Sequence, residues 1–272
     1  MSNINFHQTF PPTLEYISRL LELPEVTNDL SKEEISQLTG IPTGKSSGKV
    51  EPHIFYSIYM GLIENKSSQR GKFNLKTTNL GNQIKKEDLG LHEEVTQLLC
   101  HIRLTSPSTG AFLWRILIRD IMPKYSNGTS LLIIDDELKK QPTLARRKSI
   151  NLGPFYTTYE DSFEAFKLIL RTKSRVMIIP QTYKSEFDYV YSYAFLYEWE
   201  NAYKQHHEIT ADQFNKLKFA AAFGFSETTA YSVLERIAEK GIIKINGQLS
   251  PFTIIKNATS DEMIDQAYSS LC

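Results

Sequence analysis

The sequence predicts a mainly α-helical protein with small β-hairpins, and three observations lead to this prediction. Apolar residues recur at helical spacing along most of the 272 residues. Capping residues precede many of these stretches, and glycine or proline follows them. Near each end, two helical stretches lead into two extended stretches with a glycine-containing turn. This order is typical of a winged helix, so we predict two winged-helix-type modules joined by a helical middle region. The predicted boundaries are 1–88, 89–204 and 205–272.

The predicted N-terminal module contains three helices before its hairpin. They cover about 14–23, 32–39 and 50–60. Ser31 and Glu34 have the spacing of a capping box at the start of the second helix. The run from 64 to 77 then indicates a hairpin with Arg70-Gly71 at its turn.

The predicted C-terminal module repeats this plan. A helix over about 211–222 is followed by a second helix over 227–240, which Ser226 caps. Two extended stretches follow, with Asn246-Gly247 between them, and Asn-Gly is a strong hairpin signal.

The middle region is predicted to be mostly helical. A helix from Leu131 begins after a cap at Thr129 or Ser130 and ends before Pro142. Residues 187–203 form an aromatic helix, for which we expect core or interface packing rather than base stacking. Residues 175–180 fit a buried strand or a short helix equally well, and the sequence predicts no role for residues 150–185.

Charge and composition restrict the class of protein. The chain has 31 basic and 31 acidic residues, and 41% of its residues are hydrophobic. These values exclude a disordered chain and a uniformly basic nucleic-acid coat. Two cysteines are too few for a disulfide framework. Because signal-peptide and membrane-length apolar patterns are absent from the sequence, we expect a cytoplasmic protein with no membrane association.

Positive charge is concentrated in the first predicted module. Between Gly40 and Lys86 there are eight lysine or arginine residues and only two acidic ones. Such side chains suit phosphate oxygens, and an arginine at a hairpin tip can enter the minor groove. The candidate DNA-binding residues are Lys45, Lys49, Lys66, Arg70, Lys72 and Lys76. The alternative is an ordinary solvated face on a protein-interaction module.

The second module is a weaker candidate for DNA contact. Its presumed recognition helix carries Glu227, Glu235 and Glu239, which would repel phosphates. We therefore expect a packing or dimerisation role there, and a homodimer is an open alternative.

One catalytic hypothesis remains open, that of a metal-dependent nuclease. Asp120 lies upstream of Glu137 and Lys139, a spacing compatible with carboxylates that hold Mg²⁺ and a lysine that orients water. That chemistry needs Glu137 and Lys139 on a strand, whereas the sequence predicts a helix that separates them. The stretch GIPTGKSSGK lacks the spacing of a phosphate loop, and the histidines and cysteines lack zinc spacing. We therefore expect no cofactor and no metal site.

Several short motifs resemble domain-of-unknown-function family 4007. They are FHQTFPP, TGIPTGKSSGKV, YMGLI, TNLGNQI, GAFLWRILI with the later KYS, and DYVYSYAFLYEWE. The opening departs from the family pattern, since FHQTF stands where Gly-His-Glu-Thr-Phe is expected. The resemblance implies a bacterial protein encoded with DNA phosphorothioation-type modification genes and acting in phage defence. A nicking activity is associated with such a component, but no catalytic motif can be carried over residue by residue.

These observations predict a DNA-binding accessory component of a bacterial DNA-modification or phage-defence system. Its expected partners are DNA and other proteins of that system. Two alternatives stay open, a DNA nickase of such a system and a winged-helix transcription regulator. The regulator would bind a palindrome as a dimer, with half-sites about one helical turn apart.

Overall fold

The structure is a computed structural model that describes residues 4–23, 25, 28–44, 48–248 and 251–270. Its contacts divide the chain into two compact units. Unit 1 comprises Met1–Leu104, Ala111–Leu113 and Asn151–Lys167, and unit 2 comprises Thr105–Gly110, Trp114–Ile150 and Leu168–Cys272. The predicted three-domain boundaries stay a prediction. No helix in the described ranges is long and apolar enough to cross a membrane.

The N-terminal part folds in the order helix, strand, helix, helix, hairpin and helix. Its elements are α1 (Leu14–Leu21), β1 (Leu30–Ser31), α2 (Lys32–Thr39), α3 (Val50–Tyr59), β2 (Ile63–Asn65), β3 (Lys72–Phe73), β4 (Leu75–Thr77) and α4 (Asn79–Glu87). β1 pairs with β3 and β2 pairs with β4, both antiparallel. The capping box of Ser31 and Glu34 is present, and Gly71 takes a left-handed φ of 75° at the predicted turn. The three predicted helices and the hairpin are therefore confirmed.

The middle of the chain mixes helices with a small sheet. Its elements are α5 (Glu94–Leu104), α6 (Phe112–Ile116), β5 (Thr129–Ser130), α7 (Leu131–Lys139), α8 (Gly153–Thr157), β6 (Ile169–Arg171) and β7 (Arg175–Ile178). Ser130 caps α7, as one of the two alternatives had it. The strands form an antiparallel sheet in the order β5-β7-β6. Of the two alternatives for residues 175–180, the strand is confirmed from Arg175 to Ile178. The middle region of the chain therefore contains a sheet as well as helices.

Two helices of the middle region continue as π-helical turns. α6 passes into a π-helical turn over Leu117–Ile121 and then into a 3-10 turn over Met122–Lys124. α8 likewise continues as a π-helical turn over Thr158–Ser162. Such bulges shift the faces that the following side chains present, and they recur at functional sites.

The C-terminal part has a similar order, with one more helix and one fewer strand than the N-terminal part. Its elements are α9 (Asp188–Ala202), β8 (Glu208–Thr210), α10 (Ala211–Lys216), α11 (Phe219–Phe223), α12 (Glu227–Glu239), β9 (Ile243–Asn246), β10 (Thr253–Lys256) and α13 (Ser260–Ser269). The strands form an antiparallel sheet in the order β8-β10-β9.

Two predictions in this part need correction. The single helix expected over 211–222 is two helices, because Lys218 takes a left-handed φ of 56° between α10 and α11. The Lys218 carbonyl accepts a hydrogen bond of 3.0 Å from the Arg119 guanidinium, a tertiary contact at the break. The hairpin is also longer than a two-residue turn, since Asn246 pairs with Thr253. Residues 249–250 of this connection lie outside the described residues.

Each unit has its own apolar core. In unit 1, Ile17, Leu21, Ile54 and Leu99 are fully buried. In unit 2, aromatic side chains of α9 pack on those of α10 and α11, with 5.4 Å between the ring centres of Phe195 and Phe214. Aromatic pairs of this kind add to the stabilisation from apolar burial. The expected packing role of the aromatic helix is confirmed.

Candidate nucleic-acid interface

Five of the six candidate DNA-binding residues lie among the described residues, and Lys45 does not. Lys49 directly precedes α3, and its ammonium lies 5.3 Å from the Tyr16 ring centre and 5.9 Å from that of Phe10. The other four lie on the segment from β2 to β4. We call residues 64–77 the first wing.

Each lysine of the first wing is paired with a glutamate. The Nζ–Oε distances are 2.7 Å for Lys66–Glu64, 3.7 Å for Lys72–Glu34 and 2.8 Å for Lys76–Glu25. Glu25 and Glu34 lie outside the stretch from 40 to 86 in which the sequence shows only two acidic residues. The excess of positive charge on the folded wing is therefore smaller than the sequence suggested.

These ion pairs are exposed, and this sets their strength. The carboxylate side chains of Glu25, Glu34 and Glu64 are each at least half exposed. Exposed pairs contribute about 0–1 kcal/mol, because water screens them. A phosphate group that approaches the wing can therefore replace the glutamates at low cost.

Arg70 stands apart from these lysines. Its side chain is exposed at the wing tip, and it has no hydrogen-bond or ion-pair partner among the described residues. The loop behind it is ordered by the Asn65 amide oxygen, which accepts backbone N–H groups of Ser67 at 3.1 Å and Asn74 at 2.8 Å. The guanidinium is therefore presented by a fixed turn.

The second module offers fewer available cations. Ser226 caps α12 by accepting the Thr229 N–H at 3.0 Å, so the helix begins as predicted. Arg236 pairs with Glu239 on the same helix, Lys240 with Asp188 and Lys256 with Glu200. Lys244 of β9 is exposed. This arrangement agrees with the weaker expectation for DNA contact here.

The three nuclease candidates are each held by a different ion pair. Asp120 contacts the Lys218 ammonium, and Lys139 contacts Asp135 one helical turn away. Glu137 accepts hydrogen bonds from Lys124, at 2.7 Å, and from Lys140, which lower its pKa.

Helix geometry also separates the candidates. Glu137 and Lys139 are both on α7, and two helical positions differ by about 200° around the axis. Among the described residues, no group of three or more His, Cys, Asp or Glu side chains could hold a metal ion.

Unit 2 contains a cavity of about 260 Å³ whose lining is mostly apolar. Its walls include Met122, Tyr125, Ile178, Pro180 and Phe225. Asp120, Glu137 and Lys139 are not among its described lining residues. The cavity therefore does not gather the groups that the nuclease hypothesis requires.

Sequence reasoning missed a buried ion pair in unit 2. Arg119 and Glu198 have side chains that are 1% and 2% exposed, with 3.4 Å between Nη2 and Oε1. Glu198 also accepts the Ser106 hydroxyl at 2.9 Å, and Arg119 donates to Thr105 and to the Lys218 carbonyl. The available signal was that each of the two charges stands in a stretch of mostly apolar residues.

No family model matches the sequence, and no curated protein matches it. Two solved structures share its fold. The SspB crystal structure aligns with a TM-score of 0.73 at 15% sequence identity, covering 98% of this chain and 86% of that chain. The magnesium ion-bound SspB crystal structure aligns with a TM-score of 0.72 at 15% identity, covering 100% and 89%. At this identity, the likeness establishes the fold alone.

Proposed function

We propose that this chain is a DNA-binding accessory component of a bacterial DNA-modification system of the phosphorothioation type, or of a phage-defence system. The association with such genes rests on the resemblance of its motifs to family 4007. The shared SspB fold over nearly the whole chain supports a role in a system of this kind.

The first wing is the observation that carries DNA binding. A helix, a short strand, two helices and a hairpin follow one another in the N-terminal part, which supports a winged-helix interpretation. Arg70 stands at the tip of the wing, with Lys66, Lys72 and Lys76 along it. On binding, the lysines exchange glutamate for phosphate, and Arg70 enters the adjacent minor groove. Lys49, which directly precedes α3, and Lys45, four positions earlier in the sequence, contact the neighbouring backbone.

A salt series tests this proposal. Binding of a labelled random duplex is measured for the wild type and for the Lys66→Ala/Arg70→Ala/Lys72→Ala variant. Each lost phosphate contact lowers the slope of log K against log salt concentration by about 0.9. The matched control is Lys148→Ala/Lys204→Ala/Lys216→Ala, which removes the same charge at other exposed positions. If the wild type shows no salt-sensitive binding, the proposal is wrong and a protein-docking role replaces it.

A DNA nickase is the second candidate, and one observation favours it. One of the two structures that share the fold contains bound magnesium. In this chain, Asp120 and Glu137 would have to leave their lysine partners before either could bind a metal ion.

The nickase hypothesis predicts Mg²⁺-dependent conversion of supercoiled plasmid to the open circle. It also predicts that Asp120→Ala or Glu137→Ala abolishes the conversion while the circular dichroism spectrum is unchanged. If both variants still nick the plasmid, the protein is a nickase, but Asp120 and Glu137 are not its catalytic residues.

A further inference from the structure

The hairpin of β6 and β7 in unit 2 ends in a basic turn. Residues 171–175 read Arg-Thr-Lys-Ser-Arg, and all five are exposed. Two hydroxyl groups, which can donate to phosphate oxygens, alternate with three cations. The turn lies in the region for which the sequence predicted no role.

Hydrogen bonds fix the shape of this turn. The Thr172 N–H donates to the Arg175 carbonyl at 2.8 Å, and the Arg175 N–H donates to the Thr172 hydroxyl at 3.2 Å. The Arg175 guanidinium donates to the carbonyls of Asn127 and Gly128 at 3.2 and 3.0 Å. Because its position is set in advance, Arg175 loses little conformational entropy when it binds an anion.

The cations of this turn differ from those of the first wing in their partners. Across the described ranges, neither Lys173 nor Arg175 has a carboxylate within ion-pair distance, whereas Lys66, Lys72 and Lys76 each have one. A phosphate bound by Lys173 or Arg175 displaces no glutamate. Lys173 and Arg175 therefore present positive charge that no carboxylate of the described residues offsets in an ion pair.

Exposed apolar side chains lie beside the turn. Of the four large apolar side chains that are exposed in the described ranges, three belong here: Leu132 at 78%, Ile133 at 41% and Leu170 at 51%. Leu170 directly precedes Arg171, and α7 begins beside the turn because the Leu131 N–H donates to the Ser174 carbonyl at 3.0 Å. Exposed apolar groups gathered in one place indicate a contact surface.

We propose that this surface, formed by residues 170–175 with Leu132 and Ile133, is a second nucleic-acid contact. Lys173 and Arg175 bind backbone phosphates, while Leu170 and Leu132 pack against sugars and base edges of the adjacent groove. The alternation of hydroxyls and cations, with no acid against Lys173 or Arg175, favours a polyanion over a protein partner. This inference rests on the proposed function, since it adds a contact to the same complex.

Two single variants separate the electrostatic part of the proposed nucleic-acid contact from its apolar part. Lys173→Glu reverses an exposed charge that makes no hydrogen bond or ion pair with other described residues, so the fold is expected to be intact. It should weaken binding of a labelled duplex about tenfold and lower the salt slope by about 0.9. Leu170→Ser should weaken binding about threefold and leave the slope unchanged, because an apolar contact releases no counterions.

The matched control is Lys204→Glu, an exposed lysine of the same unit with the same change in charge. The inference is overturned if the wild type binds DNA and Lys173→Glu binds no more weakly than Lys204→Glu. That result would leave DNA binding by the first wing in place and would reassign the hairpin surface to a protein partner. Failure of the wild type to bind DNA at all would instead overturn the proposed function.

Discussion

His53 is buried on α3 in a neutral form that its hydrogen bonds define. Its Nδ1 donates to the Lys49 carbonyl at 2.6 Å, and its Nε2 accepts the Thr13 N–H at 3.0 Å. Burial lowers the pKa of His53 to about 4, and burial also lowers that of His7 to about 4. Protonation of His53 would point two N–H groups at each other across the contact with Thr13.

These histidines predict a loss of stability in mild acid. A folded pKa below the unfolded value of about 6.5 contributes stability above that value, and this is lost as the pH falls towards 4. Each histidine accounts for roughly 3 kcal/mol across this window. We expect the melting temperature to fall between pH 7.5 and pH 5, with a smaller fall in His53→Gln. The exposed His206→Gln should keep the wild-type dependence, and a flat wild-type profile would contradict the assignment.

The buried pair of Arg119 and Glu198 makes a second prediction. Glu198→Gln leaves the Arg119 charge buried without its counter-ion, which costs roughly 3–5 kcal/mol of unfolding free energy. Urea denaturation followed by circular dichroism measures this change. Glu239→Gln, which removes the acid of an exposed pair, is the control and should have little effect. Equal effects of the two substitutions would mean that the buried pair contributes no more to the free energy of unfolding than the exposed pair does.

At the scale of elements, the break between α10 and α11 should make glycine more stabilising than alanine at residue 218, which is the reverse of the usual order within a helix. A non-glycine residue in the left-handed region costs roughly 1–2 kcal/mol, and Lys218 is in that region. Both Lys218→Gly and Lys218→Ala lose the contact with Asp120, so they differ mainly in backbone strain. We expect the glycine variant to be more stable by about 1 kcal/mol in urea denaturation. A more stable alanine variant would mean that residue 218 is helical.

Local signals predicted most element boundaries. The capping box at Ser31 and the cap at Ser226 mark the starts of α2 and α12, and each helix begins at the next residue, as predicted. The break at Lys218 could not be predicted, because no local signal marks it and the hydrogen bond that its carbonyl accepts comes from Arg119, 99 positions away. Tertiary contacts of this kind override local helix propensity.

The candidate site was predicted in part for the same reason. The lysines of the first wing are visible in the sequence, and the exposure of Arg70 agrees with its predicted place at a turn. The pairing of Lys72 with Glu34 and of Lys76 with Glu25 depends on the fold. Counting charges along the chain therefore overestimated the excess of positive charge on the first wing. The hairpin surface of unit 2 was missed because its strands are short and periodicity left them ambiguous.

At the scale of the whole molecule, the formal net charge is zero, so attraction to DNA must be local. Glu25→Gln/Glu64→Gln removes two carboxylates that compete for the wing lysines and leaves Glu34 to cap α2. We expect this variant to bind a random duplex about threefold more tightly at low salt. Glu164→Gln/Glu186→Gln makes the same change in net charge at exposed positions elsewhere. Equal gains in both variants would indicate that total charge, not the wing, controls affinity.

The two units are interleaved along the chain, and this matters for the order in which they are made. Unit 1 needs Asn151–Lys167 as well as Met1–Leu104, since the His101 ring is hydrogen-bonded to the Tyr159 hydroxyl at 2.9 Å and the Gln97 side chain accepts the Ala165 N–H at 3.0 Å. A ribosome therefore releases Trp114–Ile150, which belongs to unit 2, before it releases the segment that completes unit 1. Domains usually fold as units, the N-terminal one first during synthesis. In this protein the nascent N-terminal unit is completed only when a later part of the chain emerges, because Gln97 and His101 of α5 gain these two hydrogen bonds only then.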